Sequence, residues 1–138
     1  MFATAASRNP SHVYRQMAVE TGVPAASAHH LVAMLFDGFA DAVAQARGAL
    51  LAGRIEDKGR AIGRAVRIVE EGLKAALNLH HGGQLAAGLD ALYGYVALRL
   101  TEANLHNDLA ALEECTRLLD PVRTAWRAIA PNTSSNPQ

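Results

Sequence analysis

Three features of the sequence predict an all-α protein: an antiparallel up-down-up-down four-helix bundle with a mobile N-terminal arm or short helix. Apolar residues recur at three- and four-residue spacings from Leu31 to Ile129, with no stretch of sustained alternation. Half of the 138 residues are hydrophobic, much of that alanine, and only seven are aromatic (three Phe, three Tyr, one Trp), a helix-favouring composition. The breaks between periodic runs are short, and short connections set successive helices side by side in opposite directions.

The chain divides into residues 1–24, a flexible arm with a short helix; residues 25–130, the bundle; and residues 131–138, a disordered tail. Residues 1–12 are small, polar and interrupted by Pro10, while 13–19 offer a short helix stopped by Gly22 and Pro24. The tail from Pro131 has no apolar periodicity.

The first bundle helix spans about residues 28–51, with Ser27 as the expected N-cap. Leu31, Leu35, Phe36, Phe39, Val43 and Leu50 share one arc, with Asp37, Asp41 and Gln45 on the other side. Gly53 suits the left-handed cap that ends it. The second helix covers about residues 55–79, with Ile55, Ile62, Val66, Val69, Leu73 and Leu77 facing the core. Arg60, Arg64, Arg67 and Lys74 lie almost opposite, and the plain reading of that stripe is a solvated face, its sign broken by Glu70 and Glu71. The third helix runs over about residues 84–105 with Leu85, Leu89, Leu92, Val96, Leu100 and Ala103 inward. Asp108 then caps a fourth helix whose seam is Leu112, Cys115, Leu119, Val122, Trp126 and Ile129, and Pro121 predicts a kink or break.

Chemistry that would make an enzyme is missing from this pattern. Thirteen basic residues balance thirteen acidic ones, which argues against nucleic acid as a partner. No run reaches the roughly 18 apolar residues that span a bilayer, and the first residues lack the layout of a signal peptide. The single cysteine, Cys115, permits no internal disulfide and fits the cytosol, where the chain is expected to work. There is no Glu-x-x-His for a di-iron bundle, and the pairs His29-His30 and His80-His81 point their members about 100° apart on a helix. A phosphotransfer bundle would place lysine and glycine after its histidine, whereas Leu31-Val32-Ala33-Met34 follows here. The expectation is no catalysis, no cofactor and no metal.

What remains is surplus apolar surface. The second helix bears Ala61, Ala65, Ile68, Gly72, Ala75 and Leu79 beside its core face, and the back of the third bears Ala87, Ala91, Gly94, Leu98 and Leu105. Small residues among larger aliphatics suit the docking of an amphipathic helix. Periodicity alone leaves open whether a partner, the arm, or a second copy in a homodimer covers them.

Several runs carry a family resemblance. Leu31-Val32-Ala33-Met34-Leu35-Phe36-Asp37-Gly38 resembles the opening core helix of the flagellar secretion chaperone FliS family, as does Gly72-Leu73-Lys74-Ala75-Ala76-Leu77. Gly82-Gly83-Gln84-Leu85-Ala86, Leu89, Leu92-Tyr93-Gly94-Tyr95 and Arg99-Leu100 look like its third core helix. Ala103-Asn104-Leu105-His106-Asn107-Asp108, Trp126, and upstream Tyr14 with Val19-Glu20-Thr21 extend the likeness over about residues 14–131. Ser11 and Gly94 stand where the family often has a bulky aliphatic and a polar residue.

The resemblance implies a cytoplasmic export chaperone that binds the disordered C-terminal segment of flagellin, prevents premature polymerisation and assists delivery to the flagellar type III export apparatus. On that reading Ile68, Gly72, Ala75, Leu79, Ala91, Gly94, Leu98 and Leu105 bind flagellin, and Tyr14 and Met17 belong to the arm. The rival reading is a stand-alone dimeric helical scaffold or regulatory bundle.

Overall fold

A computed structural model describes residues 25–77 and 82–129. The expected arm at residues 1–24, the tail from 131 and the His80-His81 pair lie outside the described residues. Four α-helices make up the fold, with no strand among the described residues: α1 (Ala25–Leu51), α2 (Ile55–Arg67), α3 (Gly83–His106) and α4 (Leu109–Ala128). Each helix packs on its neighbour in the chain, and α4 closes the ring against α1.

Alanine supplies much of the interior. Phe36, Phe39 and Val43 of α1, Ile62 of α2, Tyr93, Val96 and Leu100 of α3, and Leu112, Cys115 and Leu119 of α4 fill the centre. Between them Ala42, Ala46, Ala65, Ala103 and Ala111 are fully buried. A helix flank built of alanine lets its neighbour approach closely, so these residues act as contacts as well as helix formers.

The helix ends are satisfied by local chemistry. After α1, Gly53 takes a left-handed φ of 77°, Gly53 N donates to Leu50 O (3.1 Å) and Arg54 N to Ala49 O (2.8 Å), which together close a Schellman cap. After α3, Asn107 takes the same left-handed role (φ 51°), with Asp108 N donating to Ala103 O at 3.0 Å. The Asp108 side chain then accepts from Ala111 N (3.2 Å), so adjacent residues end one helix and begin the next. Lys58 of α2 is almost fully buried, with no carboxylate on it among the described residues. Its Nζ donates to Asn104 O (2.8 Å) and Asn107 Oδ1 (2.5 Å), placing a cation on the negative end of α3.

Several expectations are corrected. The second helix does not continue as one α-helix to residue 79: Ile68–Leu73 is a π-helical turn, with Lys74 N donating to Val69 O at 2.8 Å. Two close contacts sit on this turn. Leu35 lies against Gly72, where an added Cβ would stand 2.9 Å from Leu35 Cδ2, and Ile68 Cδ1 lies 3.3 Å from where Gly38 would carry its own. α1 begins at Ala25, so Ser27 lies inside the helix and does not cap it. α4 runs unbroken through Pro121, which stands on the exposed side where water can take the carbonyl it leaves. Leu31, Ile55, Leu85 and Ile129, expected in the core, are exposed. They sit near helix ends, where fewer neighbouring side chains overlap them.

α1 and α4 are also joined by polar contacts running up one helix and down the other. His29 stacks on Trp126 (centroids 4.6 Å, planes 6° apart); Trp126 Nε1 donates to His29 O (3.1 Å), and His29 Nε2 donates to Trp126 O (2.8 Å). Further along, Asp37 Oδ1 accepts from Arg123 (2.7 Å) and Arg127 (2.8 Å), and Arg47 pairs with Glu113 (3.2 Å).

Glycine substitution separates close packing from helix propensity. Gly48→Ala meets nothing within 4 Å and is expected to stabilise by about 1 kcal/mol, whereas Gly72→Ala forces the Leu35 methyls to move and is expected to lose most or all of that gain. Urea denaturation of both variants checks the difference.

The Asp37 cluster has a pH signature. The hydrogen bond from Arg123, with the charges of Arg127 and Arg123, holds the Asp37 carboxyl below the usual range against a smaller desolvation effect. A lowered folded pKa stabilises above the ordinary carboxylate value of about 4, and that gain is lost as pH falls through the folded value. Asp37→Asn should therefore be less stable than the parent at pH 7, by about 1 kcal/mol or less for so exposed a pair. Melting curves of the two should converge in acid; a gap independent of pH would show that the ion pair is not its cause.

Candidate functional site

α3 is apolar on nearly every side, and only one side is used by the bundle. At 100° per residue its buried positions, Ala86, Tyr93, Val96, Ala97, Leu100 and Ala103, form one arc facing α2 and α4. Diametrically opposite stand Ala87, Ala91, Leu98 and Leu105, all exposed, with Leu98 at 55% and Leu105 at 74%. The stripe is about 27 Å long at 1.5 Å per residue and carries no charge. A surface helix ordinarily turns a polar face to water. This one turns leucine and alanine.

Polar groups border the stripe on both sides and neutralise one another. On the α4 side, Tyr95 OH donates to Glu114 Oε2 (2.7 Å), and Arg99 Nε donates to Glu114 Oε1 (2.8 Å) while its Nη1 reaches Glu102 (2.7 Å). The Tyr95 hydrogen bond, then that of Arg99, holds the Glu114 carboxyl below its usual range, and the same bond to Glu114 raises the Tyr95 phenol. On the α2 side, Lys74 pairs with Asp90 (3.3 Å) and its Nζ lies beside Gly94. With both rims internally paired, the stripe between them is flanked by compensated charge.

The sequence-derived residues fall into three groups. Ala91, Leu98 and Leu105 come together on the outer face of α3, with half-buried Gly94 at its edge. Ile68 and Gly72 are packed on α1 through Gly38 and Leu35, with Ala75 half-buried just beyond; Ala61 and Ala65, from the same stripe, are core residues. Small residues that admit a partner backbone admit a neighbouring helix of the same chain equally well, and α1 takes that place. Tyr14, Met17 and Leu79 lie outside the described residues. Sequence reasoning missed the Tyr95–Glu114–Arg99–Glu102 rim. The i,i+3 spacing of Arg99 and Glu102 was readable, but Glu114 joins only through the α3–α4 contact.

Cys115 is fully buried, its Sγ 3.7 Å from Val96 O, and burial pushes its thiol up to about 12, far from the range of a thiolate nucleophile. Among the described residues no three His, Cys, Asp or Glu side chains group to hold a metal, and no helix is long and apolar enough to cross a membrane.

The chain is an all-α helical bundle with one apolar helix face left open by the described residues. The sequence matches the family described as flagellar protein FliS over residues 10–133. It is 44% identical to the flagellar secretion chaperone FliS of Salmonella typhimurium over 121 residues, 88% of this chain and 90% of that one. It is 42% identical to the flagellar secretion chaperone FliSB of Pseudomonas aeruginosa (85% and 92% covered) and 30% identical to FliS of Bacillus subtilis (88% and 86% covered). The chain belongs to the FliS family of flagellar secretion chaperones, a family of chaperones and not of enzymes.

Substitutions on α3 distinguish its two faces. Leu98→Asp places a carboxylate in water and should leave the bundle folded, while Leu100→Asp buries one at a fully enclosed position and should unfold it. Circular dichroism melts report both, and an unfolded Leu98→Asp protein would make Leu98 part of the core.

Proposed function

We propose that this chain is a cytosolic export chaperone that binds the disordered C-terminal segment of flagellin, keeps it from polymerising early and helps deliver it to the flagellar type III export apparatus. The observation that carries the reading is the uncharged outer face of α3, centred on Leu98 with Ala91 and Leu105 one stripe repeat away on either side and Gly94 at the edge. A disordered segment that folds into a helix against this face would cover it, burying apolar area on both partners. Membership of a flagellar secretion chaperone family supports the choice of client. Ile68 and Gly72 contribute indirectly, by seating the π-turn on α1 through Gly38 and Leu35, and half-buried Ala75 follows them in sequence.

Calorimetric titration with a flagellin C-terminal peptide tests this directly. Binding should be 1:1 with a negative heat-capacity change, as expected when a disordered ligand folds and buries apolar surface. Leu98→Asp should weaken it at least tenfold, about 1.4 kcal/mol. Removal of residues 1–18, which include Tyr14 and Met17, should tighten binding if the arm competes for the face, because a competitor lowers affinity by the fraction of time the face is closed. No binding at micromolar peptide to the folded protein would falsify the chaperone reading. Normal binding by Leu98→Asp would move the site off α3. A dimer in light scattering that dissociates with Leu98→Asp, without peptide binding, would favour the self-associating scaffold.

A further inference from the structure

A second surface differs from the α3 face in chemistry and in position. Between α1 and α2 lies an open groove of about 670 Å³, and α3 contributes nothing to its walls. Four arginines line it (Arg54, Arg60, Arg64 and Arg67) against one carboxylate, Asp57. Asp57 is already engaged by Arg54 (3.3 Å) and by Arg60. Among the described residues Arg64 donates to the neutral Gln45 (3.2 Å), and neither Arg64 nor Arg67 has an ion pair. Elsewhere Arg47, Lys74, Arg99, Arg123 and Arg127 each touch a carboxylate. Formal charge is zero over the whole chain, yet this groove carries uncompensated positive charge.

Space in the groove has no claimant among the described residues either. A Cβ on Gly48 would meet nothing within 4 Å, and one on Gly63 would meet only the Arg67 guanidinium at 3.6 Å. Unlike Gly72, these glycines make no close contact among the described residues, while each costs a helix about 1 kcal/mol relative to alanine.

We propose that the α1–α2 groove docks an acidic helical segment of a second protein partner, independently of the α3 face. Arg60, Arg64 and Arg67 stand three and four residues apart, within about 10.5 Å along α2 at 1.5 Å per residue. A helix laid alongside presents matching carboxylates at i, i+4 and i+7, or at i, i+3 and i+7 in the opposite direction. Arginine forks hold carboxylates in defined geometry, and the glycine-lined floor admits the backbone behind them. The chain itself supplies no such segment. Residues 1–24 carry Arg8 and Arg15 against Glu20 alone, 131–138 carry no charged side chain, and no helix here has three carboxylates at either spacing.

The test uses the full-length protein and a labelled alanine-rich 18-residue helix with glutamates at i, i+4 and i+7, beside its glutamine counterpart, read by fluorescence anisotropy. The glutamate peptide should bind at least tenfold tighter than the glutamine peptide and weaken with added salt. Arg64→Glu combined with Arg67→Glu should cost a further tenfold or more. Gly48→Leu, which narrows the groove at a position where an added Cβ meets nothing within 4 Å and keeps every guanidinium, should cost about tenfold with no loss of melting temperature. Saturation with the flagellin peptide should leave the affinity unchanged. Equal binding of the two peptides overturns the proposal, as does undiminished binding to the Gly48→Leu variant, which would mean diffuse charge attraction. Displacement by the flagellin peptide would merge the groove with the α3 face, and tighter binding of a single-stranded oligonucleotide of equal charge would assign it to nucleic acid; either result also overturns it.

Discussion

The close approach of α2 to α1 is the constraint from which the other contacts follow. Leu35 rests on Gly72 and Ile68 on Gly38, while Ala42, Ala46 and Ala49 of α1 and Ala61 and Ala65 of α2 are buried along the same pair. Small residues on both sides shorten the distance between helix axes, and buried alanine loses no rotamer freedom. The pairing uses up the small-residue stripe of α2 and leaves the other flank of that helix to receive α3. It also opens the outer groove where Gly48 and Gly63 face each other's helix across arginines.

The α1–α4 contact is built differently. Its apolar seam is supplemented by the His29–Trp126 stack, the Asp37–Arg123–Arg127 cluster and Arg47–Glu113. Exposed ion pairs contribute little to stability, so their main effect is on register, since each cation meets its carboxylate in one alignment only. Lys58 does comparable work inside the bundle. It ties the first turn of α2 to the last turn of α3, and with the Asn107-Asp108 cap it determines where α4 departs.

These restraints leave α3 held firmly by one face while the other stays apolar and uncovered by the described residues. An uncharged leucine stripe on a well-anchored helix is poor for solubility and good for binding, because the surface need not rearrange to accept a partner. Rims that pair internally, Tyr95–Glu114–Arg99 on one side and Lys74–Asp90 on the other, keep long side chains from folding over the stripe. The bundle thus separates an uncharged face on α3 from a basic groove on α1 and α2.

Much of this was legible in the sequence because it depends on nearest neighbours along the chain. Period and composition determine four helices, and the αL residue Gly53 and the capping Asp108 act within a few residues of themselves, so both were readable. The inward positions Phe36, Val69, Val96, Leu100 and Leu112 followed from the same period, as did the exposed Leu98 and Leu105. Which stripe of small residues would be covered did not follow. Ala65 and Ala91 are identical side chains on apolar helix flanks, and only the approach of α1 buries the first and leaves the second open. The π-turn, the burial of Lys58, the closing of Glu114 on Tyr95 and Arg99, and the open arginine groove belong to the same class. Local free energies select each helix and its caps, whereas the fate of a face depends on which distant residues arrive there, and that is decided only when the helices pack.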